Sequence, residues 1–387
     1  MSEKTTVLYA SIGAELIQFD MDAEAATLTR RGSVTLPANV QYVWPHANRK
    51  FLYAATSDSA SGMGPAGTTH HVSALAIDAT GALTTHGAPI PLPYRPIHMA
   101  TDISSENVLV AFNNPPDVRV YKIAADATLG AEVPLPEGTD PGIFPHQILA
   151  MPDNGHVILI ARGHDAAKGK PEEPGSLKIF RNDSGTLRDE VSIAPNGGFG
   201  FGPRHLDFHP TKPWIYIALE RQNAVDLVVH DAGKLAETPA FRVNTLRKPD
   251  AVIGHQVVGT VHVHPNGRFV YVANRANNTV EQNGKKVFAG GENSIAVFAI
   301  DQRNGEPIPI QHADTNGIHC RTFHIDPTGK LMVCAHIMGL PMPDGTEVPT
   351  RLSLFRIGDD GKLAFVRSYD METGGKFMWW MGMVTLP

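Results

Sequence analysis

The chain repeats itself, and that repetition restricts its fold more than any other property of the sequence. One recurring segment is a strand of alternating apolar residues running into a polar turn with Gly, Asp or Pro. It reads VSALAIDATGAL over residues 72–83 and NSIAVFAIDQRNGEP over 293–307. Looser copies over 16–28, 118–129, 177–187, 225–235 and 352–363 bring the number to seven. Apolar alternation ending in such a turn is a hairpin signal. A second pattern precedes most copies: a strand, a turn led by Pro or a polar residue, then a more apolar strand. Its clearest forms are RHLDFHPTKPWIYIALE over 204–220 and GTVHVHPNGRFVYVANR over 259–275. HQILAMPDNGHVILIAR over 146–162 and RTFHIDPTGKLMVCAHI over 321–337 follow it, with weaker forms over 41–57 and 98–114.

Joined, the two patterns make a unit of four strands. Seven such units in 387 residues predict an all-β chain folded as a seven-bladed β-propeller, four antiparallel strands per blade, a single domain over residues 1–387. One unit is split. KFMWWMGMVTLP over 376–387 supplies its inner strand, and TTVLYASIGAELIQFDMD over 5–22 supplies the rest, so pairing of the N- and C-terminal strands closes the ring. An open sandwich with coincidental spacing is the alternative. Segments 59–71, 163–175, 276–291 and 338–350 interrupt the repeat, all between the second and third strands of a unit. They therefore share one face, as a common entrance or as plain surface loops.

Composition narrows the function. With 42% apolar residues, and with 36 Gly and 30 Pro spread along it, the chain is too apolar to be disordered. A formal charge of −6 without a basic run argues against a nucleic-acid partner. Cys320 and Cys334 are the only cysteines, too few for a disulfide framework or a Cys-based zinc site. The N-terminus lacks a signal-peptide apolar region and no stretch approaches a membrane span, so a cytoplasmic protein with no membrane partner is expected. The 18 histidines ask for an explanation.

The repeat also supports a positional argument. Six residues back from the turn proline, or its equivalent, stand Gln41, His98, His146, Arg204, Gly259 and Arg321; ten residues forward stand Ser57, Asn114, Arg162, Glu220, Arg275 and Ile337. In a propeller the first strand of each blade lines the central channel, and the antiparallel second strand returns to the same height. The expected constellation is His98, His146, Arg162, Arg204, Glu220, Arg275 and Arg321, with Gln41 and Asn114 nearby. Arginines in such excess repel one another and suit a carboxylate or phosphate ligand. Glu220 among them should stay ionised, as a base or as an anchor for an arginine; His146 could move a proton. Plain alternatives exist: an Arg204–Glu220 salt bridge within one blade, an Arg275–Glu220 bridge between blades, and a water-bonded His98. His262 and His264 share a strand face at a spacing a metal could use, but no carboxylate cluster accompanies them, and no metal is assigned.

At these residues the sequence resembles the seven-bladed β-propeller lactonase family, which includes the propeller 6-phosphogluconolactonases and the fungal 3-carboxy-cis,cis-muconate lactonising enzyme. GPRHLDFHP (202–210), YIALE (216–220), HPNGRFVYVANR (264–275) and NSIAVFAID (293–301) carry the likeness. It implies His146, Arg204, Arg275 and Glu220 as catalytic residues acting without a cofactor; the positional count adds His98, Arg162, Arg321, Gln41 and Asn114 as residues binding a small anionic lactone or muconate. The four long segments depart from the short bacterial phosphogluconolactonases. Three readings follow: a lactonase acting on an anionic sugar-acid or aromatic-catabolic lactone, a cycloisomerase running related chemistry toward ring closure, and a non-catalytic binding scaffold.

Overall fold

The computed structural model describes residues 5–59, 65–231 and 234–387; residues 60–64 of the first interrupting segment, and 232–233 of one repeat copy, lie outside them. Seven sheets of four or five strands stand around an axis. Numbered along the chain, the first blade is the split one. Met381–Thr385 pairs antiparallel with Thr6–Ile12, which pairs with Glu15–Asp22 and then Thr27–Thr35. The expected ring closure is therefore present. The inner strands of the second to seventh blades are Asn39–Pro45, Pro96–Thr101, Pro145–Ala150, Pro203–Phe208, Gln256–Val263 and Ile318–Ile325. In the second and fifth blades the outermost strand is broken into two short pieces, Leu83–Thr85 with Ile90–Pro91 and Lys234–Leu235 with Phe241–Asn244. Helix is confined, among the described residues, to two 3₁₀ turns, and no helix is long and apolar enough to cross a membrane.

Burial follows radial position. The second strand of a blade is covered on both sides by its neighbours, so Trp214–Leu219 reads WIYIAL and is buried throughout. An outer strand such as Thr186–Ile193, TLRDEVSI, is exposed along most of its length. Seven apolar clusters fill the seven gaps between blades. Between the fifth and sixth blades, for example, Tyr216, Val225 and Leu227 pack with Val258, Val272 and Phe298.

Polar latches register each blade on the next. Tyr9, Tyr53, Tyr216 and Tyr271 are wholly buried on second strands. Each donates its hydroxyl to a backbone carbonyl in the next blade's outer turn: Gly81 at 2.6 Å, Ala127 at 3.0 Å, and Gly305 and Gly361 at 2.8 Å. Histidines do the same on the inner turns, where the Nε2–H of His209 meets the Gly267 carbonyl and that of His264 meets Gly329, both at 2.8 Å. Gly329 is obligatory here, with φ +74° and a notional Cβ 2.4 Å from the His264 ring. Two of the 18 histidines are thus structural latches.

The interrupting segments leave the second strands on one face. Two carry their own hairpins, Thr279–Gln282 with Lys285–Phe288 and Leu340–Pro341 with Glu347–Val348. They touch through Gln282 Nε2, which donates to the Pro343 carbonyl at 3.3 Å.

Candidate active site

Inner strands are one residue too long for their partners near the loop face. Val40 faces Thr56 and Tyr42 faces Ala55, leaving Gln41 extra. His146 is likewise extra between Pro145 and Gln147, Arg204 between Pro203 and His205, and Arg321 between Cys320 and Thr322. A β-bulge of this kind bends the strand and re-aims its side chains. In the sixth blade Gly259 and Thr260 share the place opposite Ala273. A Cβ on Gly259 would lie 3.4 Å from Arg275 Cδ and Nε, so the absent side chain is room that Arg275 occupies.

The third blade corrects two expectations. Its turn is held by Asp102 Oδ1, which accepts from the Glu106 and Asn107 amides as Asp326 Oδ1 does from Lys330 and Leu331. Matching these turns puts Ile103, rather than Ser104, at the proline position. The extra residue is then Ile97, and His98 lies one step deeper. Its ring stacks on Tyr42 at 3.8 Å and meets His205 at 5.7 Å. Asn114 falls one residue beyond its strand and is exposed, while Asn113 is buried.

Glu220, 5% exposed, sits among three guanidinium groups from three successive blades. Its Oε2 accepts from Arg162 Nη1 and its Oε1 from Arg275 Nη2, with Arg204 Nε 3.2 Å from Oε1. Both ion pairs considered as plain alternatives are therefore present. Burial alone would raise the Glu220 carboxyl; the charges of Arg162, Arg275 and Arg204 outweigh it and hold the group well below the usual carboxylate range. Arg275 is fixed further by Nε to the Val258 carbonyl at 3.3 Å and Nη1 to His319 Nε2 at 2.9 Å. Because a guanidinium only donates, that histidine nitrogen is the acceptor and Nδ1 carries the proton.

Two further cations have no carboxylate within ion-pair distance among the described residues. The Arg321 guanidinium lies 4.6 Å over the Trp379 ring, and burial and the charges of Arg275 and Arg95 push it down to about 9, still protonated at neutral pH. Buried Arg95 donates Nε to Gln41 Oε1 at 2.9 Å, and Gln41 Nε2 donates to the Asn39 carbonyl. Arg162 is stacked 4.6 Å over Phe144. Around this cluster, His98 Nε2, His146 Nδ1, His319 Nδ1 and Arg204 Nη1 are buried without a hydrogen-bond partner in the protein. His146 and His205 are held neutral, by burial first and then by the charge of Arg204.

The site thus joins His146, Arg204, Glu220, Arg275, Arg162, Arg321 and Gln41 as expected. It adds Arg95, Phe144, His319 and Trp379. The first three share a repeat position, two residues before the extra residue of their strands, so a second count along the repeat would have found them. Trp379 is the seventh blade-equivalent of Arg321, since Gly382 pairs with Tyr9 as His324 pairs with Val333. His262 and His264 part company: both ring nitrogens of His264 serve turn backbone, while His262 Nδ1 faces Asp207 at 3.4 Å. No metal-holding group of three His, Cys, Asp or Glu is found among the described residues.

Residues 5–338 match the family model described as lactonase, 7-bladed beta-propeller. The chain belongs to the seven-bladed β-propeller lactonase family. Relatives of this lactonase family include a 6-phosphogluconolactonase of Bacillus subtilis (strain 168), 27% identical over 343 residues that cover 85% of this chain and 86% of the relative. Another, from Cronobacter sakazakii, is 25% identical over 86% and 87% of the two chains. Among solved structures, a putative 6-phosphogluconolactonase from Bacteroides uniformis superposes with a TM-score of 0.74 at 20% identity over 99% of this chain and all of that one. A periplasmic gluconolactonase of Pseudomonas aeruginosa gives 0.74 at 17% with the same coverage. These likenesses agree with the propeller architecture described above.

Proposed function

We propose that this protein hydrolyses a lactone bearing an anionic group, of the 6-phosphogluconolactone type, in the chamber formed by the arginine cluster. The observation that carries the reading is the charge layout: three guanidinium groups close on one carboxylate, two more stand without one, and a neutral histidine beside them has an Nδ1 with no partner. Membership of a lactonase family and the activity named for its relatives support it.

In this reading Arg321 and Arg95 hold the substrate's anionic group through charge-assisted hydrogen bonds. The unpaired Arg204 Nη1 donates to the lactone oxygen as it gains charge. Neutral His146 accepts a proton from water as its oxygen adds to the carbonyl carbon; the ring C–O bond then breaks and the same proton passes to the departing alkoxide. Glu220 is too weak a base to compete and serves to position Arg162, Arg204 and Arg275. A cytoplasmic setting and a small-molecule partner belong to the same proposal.

The test is proton release on mixing fresh 6-phosphogluconolactone with the protein and with its His146→Gln variant. A rate well above the uncatalysed blank, reduced at least ~100-fold in the variant, is expected for a general-base residue. A flat trace with turnover of 3-carboxy-cis,cis-muconate would reassign the site to cycloisomerisation; a flat trace with both would leave a binding scaffold.

A further inference from the structure

The channel has a second compartment at the opposite end from the arginine cluster. Three residues past the bulge position, the inner strands present Trp44, Asp207, His262 and His324. Trp44, His262 and His324, with Tyr42 and Trp380, line a cavity of about 250 Å³, and Asp207 stands behind His262. The stacked pair Tyr42 and His98, with His205 beside it, stands between this cavity and the arginine chamber. The two compartments differ sharply in character.

The second one is walled by aromatic rings, with one carboxylate, Asp207, close behind its wall. Asp207 accepts the Val263 amide at 2.8 Å on Oδ2 and the Phe208 amide on Oδ1, and has no Lys or Arg partner among the described residues. His262 turns Nδ1 to that carboxylate at 3.4 Å. His324 donates Nδ1–H to the Ile325 carbonyl at 3.1 Å, and burial, reinforced by His262, pushes it down to about 4. Its Nε2 is therefore a lone pair at neutral pH. The Thr322 hydroxyl, another lining group, is buried without a partner. Around these acceptors stand the rings of Tyr42 and Trp380, their centroids 6.5 Å apart at 65°, and of Trp44.

An imidazole lone pair on His324, a wall of electron-rich ring faces and the nearby Asp207 carboxylate complement a donor-rich positive group on a small apolar body. They repel the anions that the other compartment attracts. We infer that this cavity is a second binding site, for a small organic cation such as an arylalkyl ammonium. The inference rests on this geometry alone and holds whatever reaction the arginine chamber performs.

Benzylammonium is the probe, titrated calorimetrically into the full-length protein at neutral pH, with benzyl alcohol and benzoate as uncharged and anionic matches. Saturable one-to-one binding of the ammonium is expected, at least ~10-fold tighter than the alcohol, as a buried charge-assisted and cation–π contact requires. Benzoate should not bind at this site. Asp207→Asn should weaken the ammonium at least ~10-fold, and Trp44→Leu should do so independently, each checked by thermal melting for a native fold. Absence of saturation below ~10 mM, equal affinity for ammonium and alcohol, or binding indifferent to both substitutions would overturn the assignment. The ligand comparison on the unaltered protein decides the matter even where a variant fails to fold.

Discussion

Replacing Glu220 by Gln tests the central claim, that this carboxylate is an anchor for arginines. The variant keeps the shape but removes the one negative charge between Arg162, Arg204 and Arg275, all tied to it in the native fold. Stripping one member from a buried ion network leaves uncompensated charge and costs about 3–5 kcal/mol. At ~2 cal/mol/K of unfolding entropy per residue, a chain of 387 residues should melt ~5 °C lower. Calorimetric melting in dilute buffer, with and without ~10 mM phosphate, is the assay. Phosphate should raise the variant's melting point more than the native protein's, because an anion in the chamber takes the missing charge's place. Catalysis should fall ~100-fold through displaced arginines, while the acidic limb of kcat/KM stays where the native enzyme has it, since that limb belongs to His146. A variant that melts within ~1 °C of the native protein and loses the acidic limb would refute the reasoning and make Glu220 the base.

Three further outcomes are expected. Arg321→Ala should raise KM ~10–100-fold with kcat little changed, as removal of a charge-assisted contact to substrate does; an unaltered KM in initial-rate measurements would remove Arg321 from the binding site. Buried His98, His146, His205 and His319 are held neutral, and His324 and His336 fall to about 4, so their contribution to stability is complete above the ordinary histidine range. It is lost as pH falls from ~6.5 toward 4, with at least ~2 protons taken up on unfolding at pH 5, or ~2.7 kcal/mol per pH unit, measurable by urea melts across that window. Tyr216→Phe should lose about 1 kcal/mol by severing the latch to Gly305 while leaving activity intact; a neutral substitution in denaturant melts would mean the latch adds nothing.

The architecture was legible because the repeat is written in apolar periodicity, which the gaps between blades enforce seven times over. The central ring was legible in four inner strands because a turn of fixed length ties the channel residue to the turn proline. Where that turn carries Asp102 and Ile103 in place of a proline, the count slipped by one and pointed at His98 and Asn114 for Ile97 and Asn113. Arg95, Phe144 and His319 escaped because they act from the approach to the strand, a position whose orientation depends on a bulge. Bulges leave no mark on periodicity, and neither did the partnership of His319 with Arg275. The seventh position, Trp379, was hidden by the split of its blade across the two chain ends.

Those bulges have a consequence for how such a protein can change. A side chain on a regular strand belongs to one face or the other, and in a blade both faces are packed against neighbours. In four blades the surplus residue belongs to neither; in the third it is Ile97, which packs in the gap to the fourth. Gln41, His146, Arg204 and Arg321 occupy places that no apolar cluster uses, so exchanging one rewrites the chamber without repacking a gap between blades. The sockets are tied to one another across blades, as Glu220 shows with Arg162, Arg204 and Arg275, but the frame that carries them need not know what they hold.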